Sequence, residues 1–148
     1  KKIFDLIPNN LPRMISIGRL DFMSEGLLLF TNNGDYSRNL ELPSKGYERV
    51  YRVCINGQIE KKDIEKINKG IKIENINYNK IKIKIDKLDK SYTWIVAKLK
   101  EGKNREIRNI CKYFSWNIVK LIRIQYGPYK LGNLKEGKIE EVKVIKDA

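Results

Sequence analysis

Ile71-Lys72-Ile73 and the run from Lys80 to Leu88 alternate apolar and charged side chains along the chain. Successive side chains of a strand point to opposite faces, so this alternation fits strands with one face on a core and the other in water. Such half-wetted strands pair antiparallel, because parallel sheets are covered on both faces. A Lys/Ile run also resembles low complexity, but its strict period argues for folded strands. Tyr92 to Lys100 is expected to pair with the Lys80–Leu88 strand across the Asp89-Lys90-Ser91 turn. Glu48 to Asn56 reads as a strand with Val50, Arg52 and Cys54 on one face and Tyr51, Val53 and Ile55 on the other. Val119 to Tyr126 is a further strand, broken by Gly127-Pro128, and Ile139 to Ile145 is expected to be the last. Helices are expected over Ile59–Lys69, with Ile64 and Ile67 inward and Gly70 at its end, and over Asn104–Phe114.

Near the start, Phe4 to Pro8 reads as a short helix or turn and Ile15-Ser16-Ile17 as a brief strand. Leu27 to Thr31 reads as a buried strand closed by an Asn33-Gly34 turn. Asp35 is expected to cap a short helix reaching about Leu42, with Pro43 as its stop. Together these give one α+β domain over residues 1–148, built around a mostly antiparallel sheet.

Thirty-one Lys and Arg against eighteen Asp and Glu leave a formal charge of +13. A charge of that sign favours a polyanionic partner. The abundance of Lys, Ile and Asn is also what an A+T-rich genome produces, so charge alone does not assign nucleic acid. The absence of His excludes imidazole catalysis and any His-bearing zinc site. Cys54 and Cys111 are too far apart in sequence for a CxxC motif and read as reduced core residues. No Gly-rich phosphate loop is present, so a nucleotide cofactor has no visible seat. No apolar run is long enough to span a bilayer and no signal peptide is visible, which points to a cytoplasmic protein.

Gly18-Arg19-Leu20-Asp21 runs directly into Glu25-Gly26-Leu27-Leu28-Leu29-Phe30-Thr31-Asn32-Asn33-Gly34. One carboxylate, Asp21, thus stands in a polar segment beside a strand-like run. A rigid neighbour can hold a carboxylate in place, as covalent chemistry by a single aspartate requires. On composition alone Asp21 is a solvated loop acid beside Arg19. The whole string, however, resembles the catalytic segment of the ribosomal RNA pseudouridine synthases. The resemblance is to the branch that joins the type A enzymes of the small ribosomal subunit with types B, E and F of the large.

Three further stretches carry the same resemblance in the same order. Glu101-Gly102-Lys103-Asn104-Arg105-Glu106-Ile107-Arg108 resembles the family's EG-x-NR-x-IR signature. At about 100° per residue, Ile107, Ile110, Cys111 and Phe114 share an apolar stripe, Arg105 and Lys112 face away, and Arg108 lies at the margin. A marginal Arg can bury its stem and present its guanidinium to a carboxylate. The resemblance implies that Arg108 pairs with Asp21, and a close guanidinium favours the charged form of a carboxylate. Arg49-Val50-Tyr51-Arg52-Val53 resembles the family's second motif, which makes Tyr51 an active-site residue able to stack on a base or move a proton. Val119-Lys120-Leu121-Ile122-Arg123-Ile124 resembles a stretch in which the residue at the place of Leu121 floors the uracil pocket. Without the resemblance, Tyr51 and Leu121 are ordinary core positions.

The resemblance implies isomerisation of one uridine in ribosomal RNA to pseudouridine, without cofactor, with Asp21 as nucleophile on the sugar or the base. The Asn56-Gly57-Gln58 turn and the Leu121–Gly127 run are most like the type B enzymes that act on the large subunit. Arg19, Arg105 and Arg123, with Arg38 and Lys112, are the candidates for RNA contacts. Ser24 and Asn33 stand where the family usually has Thr and Asp. The family's usual N-terminal RNA-binding domain, of the ribosomal-protein S4 type, is expected to be absent from this chain, and its opening on Lys1 rather than Met points to a piece cut from a longer protein. The expected partners are ribosomal RNA and the ribosome or its assembly intermediates, with no membrane and a monomeric chain. Two rival readings stay open at this point. One is a catalytically inactive RNA-binding or assembly module. The other is an unrelated DNA-binding domain using the Asn104–Phe114 helix, whose Asn104 and Asn109 could face base edges.

Overall fold

The computed structural model describes residues 3–103 and 105–145. Its centre is a sheet whose main path runs β10-β9-β4-β8-β7, formed by β4 (Arg49–Asn56), β7 (Lys82–Leu88), β8 (Tyr92–Leu99), β9 (Asn117–Tyr126) and β10 (Tyr129–Lys130). Every pairing along that path is antiparallel, as the alternating patterns require. The expected β7–β8 hairpin is present, with one adjustment. The register slips between Ile85 and Lys87, leaving Asp86 as a bulge that aims its carboxylate at Arg52, 3.0 Å away.

Thr93, Ile95, Ala97 and Leu99 alternate inward along β8. They meet Val53, Ile55 and Leu121 from neighbouring strands and Ile64 and Ile67 from α2 (Lys61–Asn68). Ile107, Ile110 and Cys111 from α3 (Glu106–Tyr113) close the same core. The apolar stripe read from sequence is therefore the buried face of α3. Cys54 and Cys111 are both buried thiols, and burial pushes the Cys111 thiol up to about 12.

A second, smaller core gathers Ile17, Leu27, Leu40, Tyr126 and Tyr129. It lies under a ribbon of β1 (Ile15–Ile17) and β3 (Leu29–Thr31), with α1 (Gly34–Glu41) against it. The expected strand over Leu27–Thr31 is not one strand. Glu25–Gly26 forms β2 and pairs parallel with β9, and only Leu29 to Thr31 turns away to pair with β1. Gly26 makes the change of partner possible. Its φ is +108°, and an added Cβ would collide with the carbonyl oxygen of Arg123 and lie 2.7 Å from its amide nitrogen. Gly26→Ala is expected to cost about 3 kcal/mol, read as a lowered denaturation midpoint. An unchanged midpoint would show that β2 does not need this close approach.

Three smaller expectations are corrected. Asn33, not Asp35, caps α1. Its side-chain oxygen accepts from the amides of Asp35 and Tyr36 at 3.0 and 3.2 Å, while Asp35 pairs with Arg38. β5 (Ile71–Ile73) pairs with β6 (Ile76–Tyr78), a hairpin that the sequence reading lacks. Ile139–Ile145 forms no strand, because the sheet edge nearest it, β10, is only two residues long. Tyrosine hydroxyls hold this segment instead. Tyr129 donates to Lys143 and accepts from Ile145, and Tyr36 donates to the Ile145 carbonyl.

Candidate active site

The loop between β1 and β2 carries Asp21. Gly18, with φ +68°, starts it, and its amide donates to the Glu41 carboxylate at the end of α1. A turn closed by the Ser24 amide on the Asp21 carbonyl, at 2.9 Å, ends it. Within this frame the Asp21 carboxylate lies 3.6 Å from Arg108 Nε and 3.9 Å from Arg105 Nη1. Those separations are ion pairs rather than tight hydrogen bonds. Arg108 also donates to the Ser24 hydroxyl at 3.3 Å, so one guanidinium holds both ends of the turn. The Asp21 side chain is 29% exposed and that of Arg108 only 17%. The carboxylate thus stays open to a ligand while its partner is covered.

A cleft of about 1050 Å³ opens over Asp21. Tyr51, Leu121, Arg19, Arg105, Arg108 and Arg123 all line it, so the seven residues singled out from sequence converge on one place. Tyr51 sits on β4, paired with Arg123 of β9 and Ala97 of β8. The β4–β9 register slips between Val50 and Tyr51, so the bulge falls beside Tyr51. Bulges near binding sites re-aim side chains in this way. Leu121 is 4% exposed and forms part of both the cleft and the main core.

Arg105 and Arg123 reach the site in different ways. Arg105 is exposed, as the wheel reading places it, and its guanidinium still reaches Asp21. It precedes the first helical residue, with φ +52°, so the 100° rule does not govern its direction. Arg123 is not a surface group free to meet RNA. It is 2% exposed, stacks 5.0 Å from the Tyr126 ring centroid, and donates to the carbonyls of Leu27 and Arg19. It binds the Asp21 loop to the sheet. Arg38 and Lys112 lie outside the cleft lining, and Asn104 falls outside the described residues.

Sequence reasoning missed the buried charge beneath the cleft. Arg49, 5% exposed, donates to the carbonyls of Tyr47, Lys100 and Glu41 and to the Tyr126 hydroxyl. Burial raises the Tyr126 phenol above its ordinary value even though Arg49 and Arg123 oppose it. Glu101 and Glu106 are 6% and 4% exposed. Glu101 accepts from the Asn79 amide and pairs with the Lys103 ammonium at 3.3 Å, while Glu106 accepts from the Lys103 amide at 3.2 Å. Burial, then the neighbouring Glu101 carboxylate, pushes Glu106 up to about 8, against the Lys103 amide and ammonium. Glu106 is therefore a neutral acid at pH 7. Two carboxyls five residues apart were the available signal, but nothing in their spacing shows burial.

A carboxylate held by two guanidiniums in an open, basic cleft, with a tyrosine and an apolar wall beside it, defines a site for covalent or acid–base chemistry on a planar group. Among the described residues no cluster of ligands suits a metal ion. The fold is that of a solved pseudouridylate synthase, matched with a TM-score of 0.81 at 24% identity over 92% of this chain and 59% of that one. A solved H/ACA ribonucleoprotein bound to a substrate RNA containing 2'-deoxyuridine shares the fold at a TM-score of 0.62 and 16% identity, over 82% of this chain and 41% of that one.

The chain belongs to the RNA pseudouridylate synthase family, whose model matches residues 4–113. It is 49% identical to an uncharacterized RNA pseudouridine synthase of Rickettsia felis, over 96% of this chain and 61% of that protein. It is 41% identical to the ribosomal large subunit pseudouridine synthase B of Buchnera aphidicola, strain Sg, over 91% of this chain and 54% of the relative. The protein of the same name from Haemophilus influenzae is 34% identical over 98% of this chain and 43% of its own length. The chain thus spans roughly half of the curated relatives it matches.

Proposed function

We propose that this chain isomerises a uridine of ribosomal RNA, in the large subunit, to pseudouridine, with Asp21 as the nucleophile. The observation that carries the reading is the position of Asp21, between Arg105 and Arg108 in a cleft shared with Tyr51 and Leu121. The names of the Buchnera and Haemophilus relatives support the large-subunit substrate. Such a substrate places the reaction in the cytoplasm, and among the described residues no helix is long and apolar enough to cross a membrane.

A uridine inside a stack cannot reach Asp21, so the base must leave it at a cost of a few kcal/mol. Leu121 offers an apolar wall to the extruded base, and Tyr51 a ring to stack on it. Asp21 then assists cleavage of the bond between nitrogen and sugar, attacking the sugar or the base. The freed uracil turns within the cleft, C5 bonds to the sugar and gives up its proton to solvent, N1 gains a proton, and any bond to Asp21 breaks to return the carboxylate. Arg108 holds the carboxylate in position for attack, and no cofactor enters the scheme.

The test is tritium release from ribosomal RNA labelled at uridine C5. No release from either deproteinised RNA or assembly intermediates would count against the proposal. Tyr51→Phe keeps the stacking ring and removes the phenol. If the phenol moves a proton, the rate is expected to fall about tenfold to a hundredfold with RNA affinity retained. Equal rates would leave Tyr51 a stacking role only. The +13 charge predicts that affinity for ribosomal RNA falls at least about a hundredfold between roughly 50 and 200 mM salt. A flat response, measured by filter binding, would mark the charge as compositional.

A further inference from the structure

Phe22 follows Asp21 directly and is 98% exposed, the most exposed large apolar side chain among the described residues. Its neighbour Met23 is 69% exposed. Single exposed apolar residues are common, but this one lies on the rim of the cleft that holds Asp21. Nor can it readily fold away. Phe22 and Met23 form the corner of the turn closed by the Ser24 amide on the Asp21 carbonyl. Arg108 fastens that turn through the Ser24 hydroxyl, and the next residue, Glu25, is already paired with β9. A flat apolar ring is thus held in water by a braced loop, beside the group that must meet an extruded base.

We infer that Phe22 is a stacking wedge, inserting into the RNA where the target uridine leaves its stack and contacting the base left behind. The inference rests on the synthase reading above. Apolar side chains such as Phe and Met serve this purpose in proteins that unstack nucleic acid, because the ring replaces the contact the departing base gives up. The partner is RNA rather than protein. Two side chains on one turn are far too little for a protein interface, whereas one ring matches one base. A basic chain supplies the attraction that brings the RNA strand to the rim.

The experiment compares the full chain with Phe22→Ala and Phe22→Trp under single-turnover conditions. Two substrates are used, each labelled at uridine C5. One is an unmodified large-subunit ribosomal RNA transcript, folded; the other is a short unstructured oligonucleotide spanning the uridine modified in that transcript. Phe22→Ala is expected to lower the ratio of folded to unstructured rate by about 10- to 100-fold, and Phe22→Trp to restore it. Emission of the introduced indole, taken as the difference from the unaltered chain, is expected to be quenched when the transcript binds. An unchanged ratio, or an unquenched indole, would overturn the wedge. Absence of tritium release by the unaltered chain would instead overturn the synthase reading. Quenching needs no turnover, so it would then decide the stacking role alone.

Discussion

Asp21→Asn is expected to fold, to bind ribosomal RNA, and to release at least about a thousandfold less tritium from C5-labelled uridine than the unaltered chain. The amide keeps the shape of the side chain but cannot act as a nucleophile. Its structural cost is moderate, because Asp21 is partly exposed and the turn that carries it is closed by backbone and by the Arg108–Ser24 contact. Arg105 and Arg108 lose their shared counter-ion, yet Arg105 is half in water and can be solvated. A melting curve close to that of the unaltered chain would separate lost chemistry from lost structure. Isomerisation at a tenth of the normal rate would rule Asp21 out as the nucleophile.

Glu106→Gln is expected to remove a pH dependence of stability. Glu106 is held neutral up to about pH 8, while the same side chain in the unfolded chain ionises near 4.5. Between those values the folded protein keeps a proton that the unfolded chain has given up. The stabilising contribution is therefore whole below about 4.5 and is lost as pH rises through about 8. The difference amounts to an order of 4 kcal/mol, or an order of 10 °C in Tm for a chain of this length. Thermal unfolding between about pH 5 and pH 9 should show the decline, and Glu106→Gln should flatten it. An unaltered slope in the variant would mean that Glu106 ionises normally. The same proton bears on the site. Glu101 and Glu106 flank the segment that delivers Arg105 to Asp21, and like charges there would push it apart.

Sequence was most informative where physics is local. The period-two pattern of β7 reappears in half-buried Ile83 and Ile85 packed on the core, and the stripe of Ile107, Ile110 and Cys111 reappears as a buried face. Asp21, Tyr51, Arg108 and Leu121 were singled out through their motifs, and all four line one cleft. What escaped depends on partners distant in sequence. Leu27 to Thr31 looks like one strand until Gly26 is seen against β9, and the apolar pattern holds no sign of that change. Arg123 resembles any surface cation of a basic chain, and only the fold buries it under Tyr126. The wheel set Arg105 on the solvent side, where it is, but gave no sign that it reaches Asp21, because the helix begins only at Glu106. The Ile139–Ile145 segment has a strand's composition but no edge long enough to receive it.

The anchoring of the Asp21 loop by Arg123 has a consequence for how the protein comes into being. The guanidinium reaches back 96 residues to Leu27 and 104 to Arg19, so the loop's mooring lies far downstream in the order of synthesis. A chain emerging from the ribosome exposes Asp21 early, but the strand that fixes it is made only after β4 to β8 and α3. Contacts this distant along the chain also form late in refolding. A chain that has not yet reached β9 therefore carries Asp21 on a loop without the Arg123 contacts that moor it.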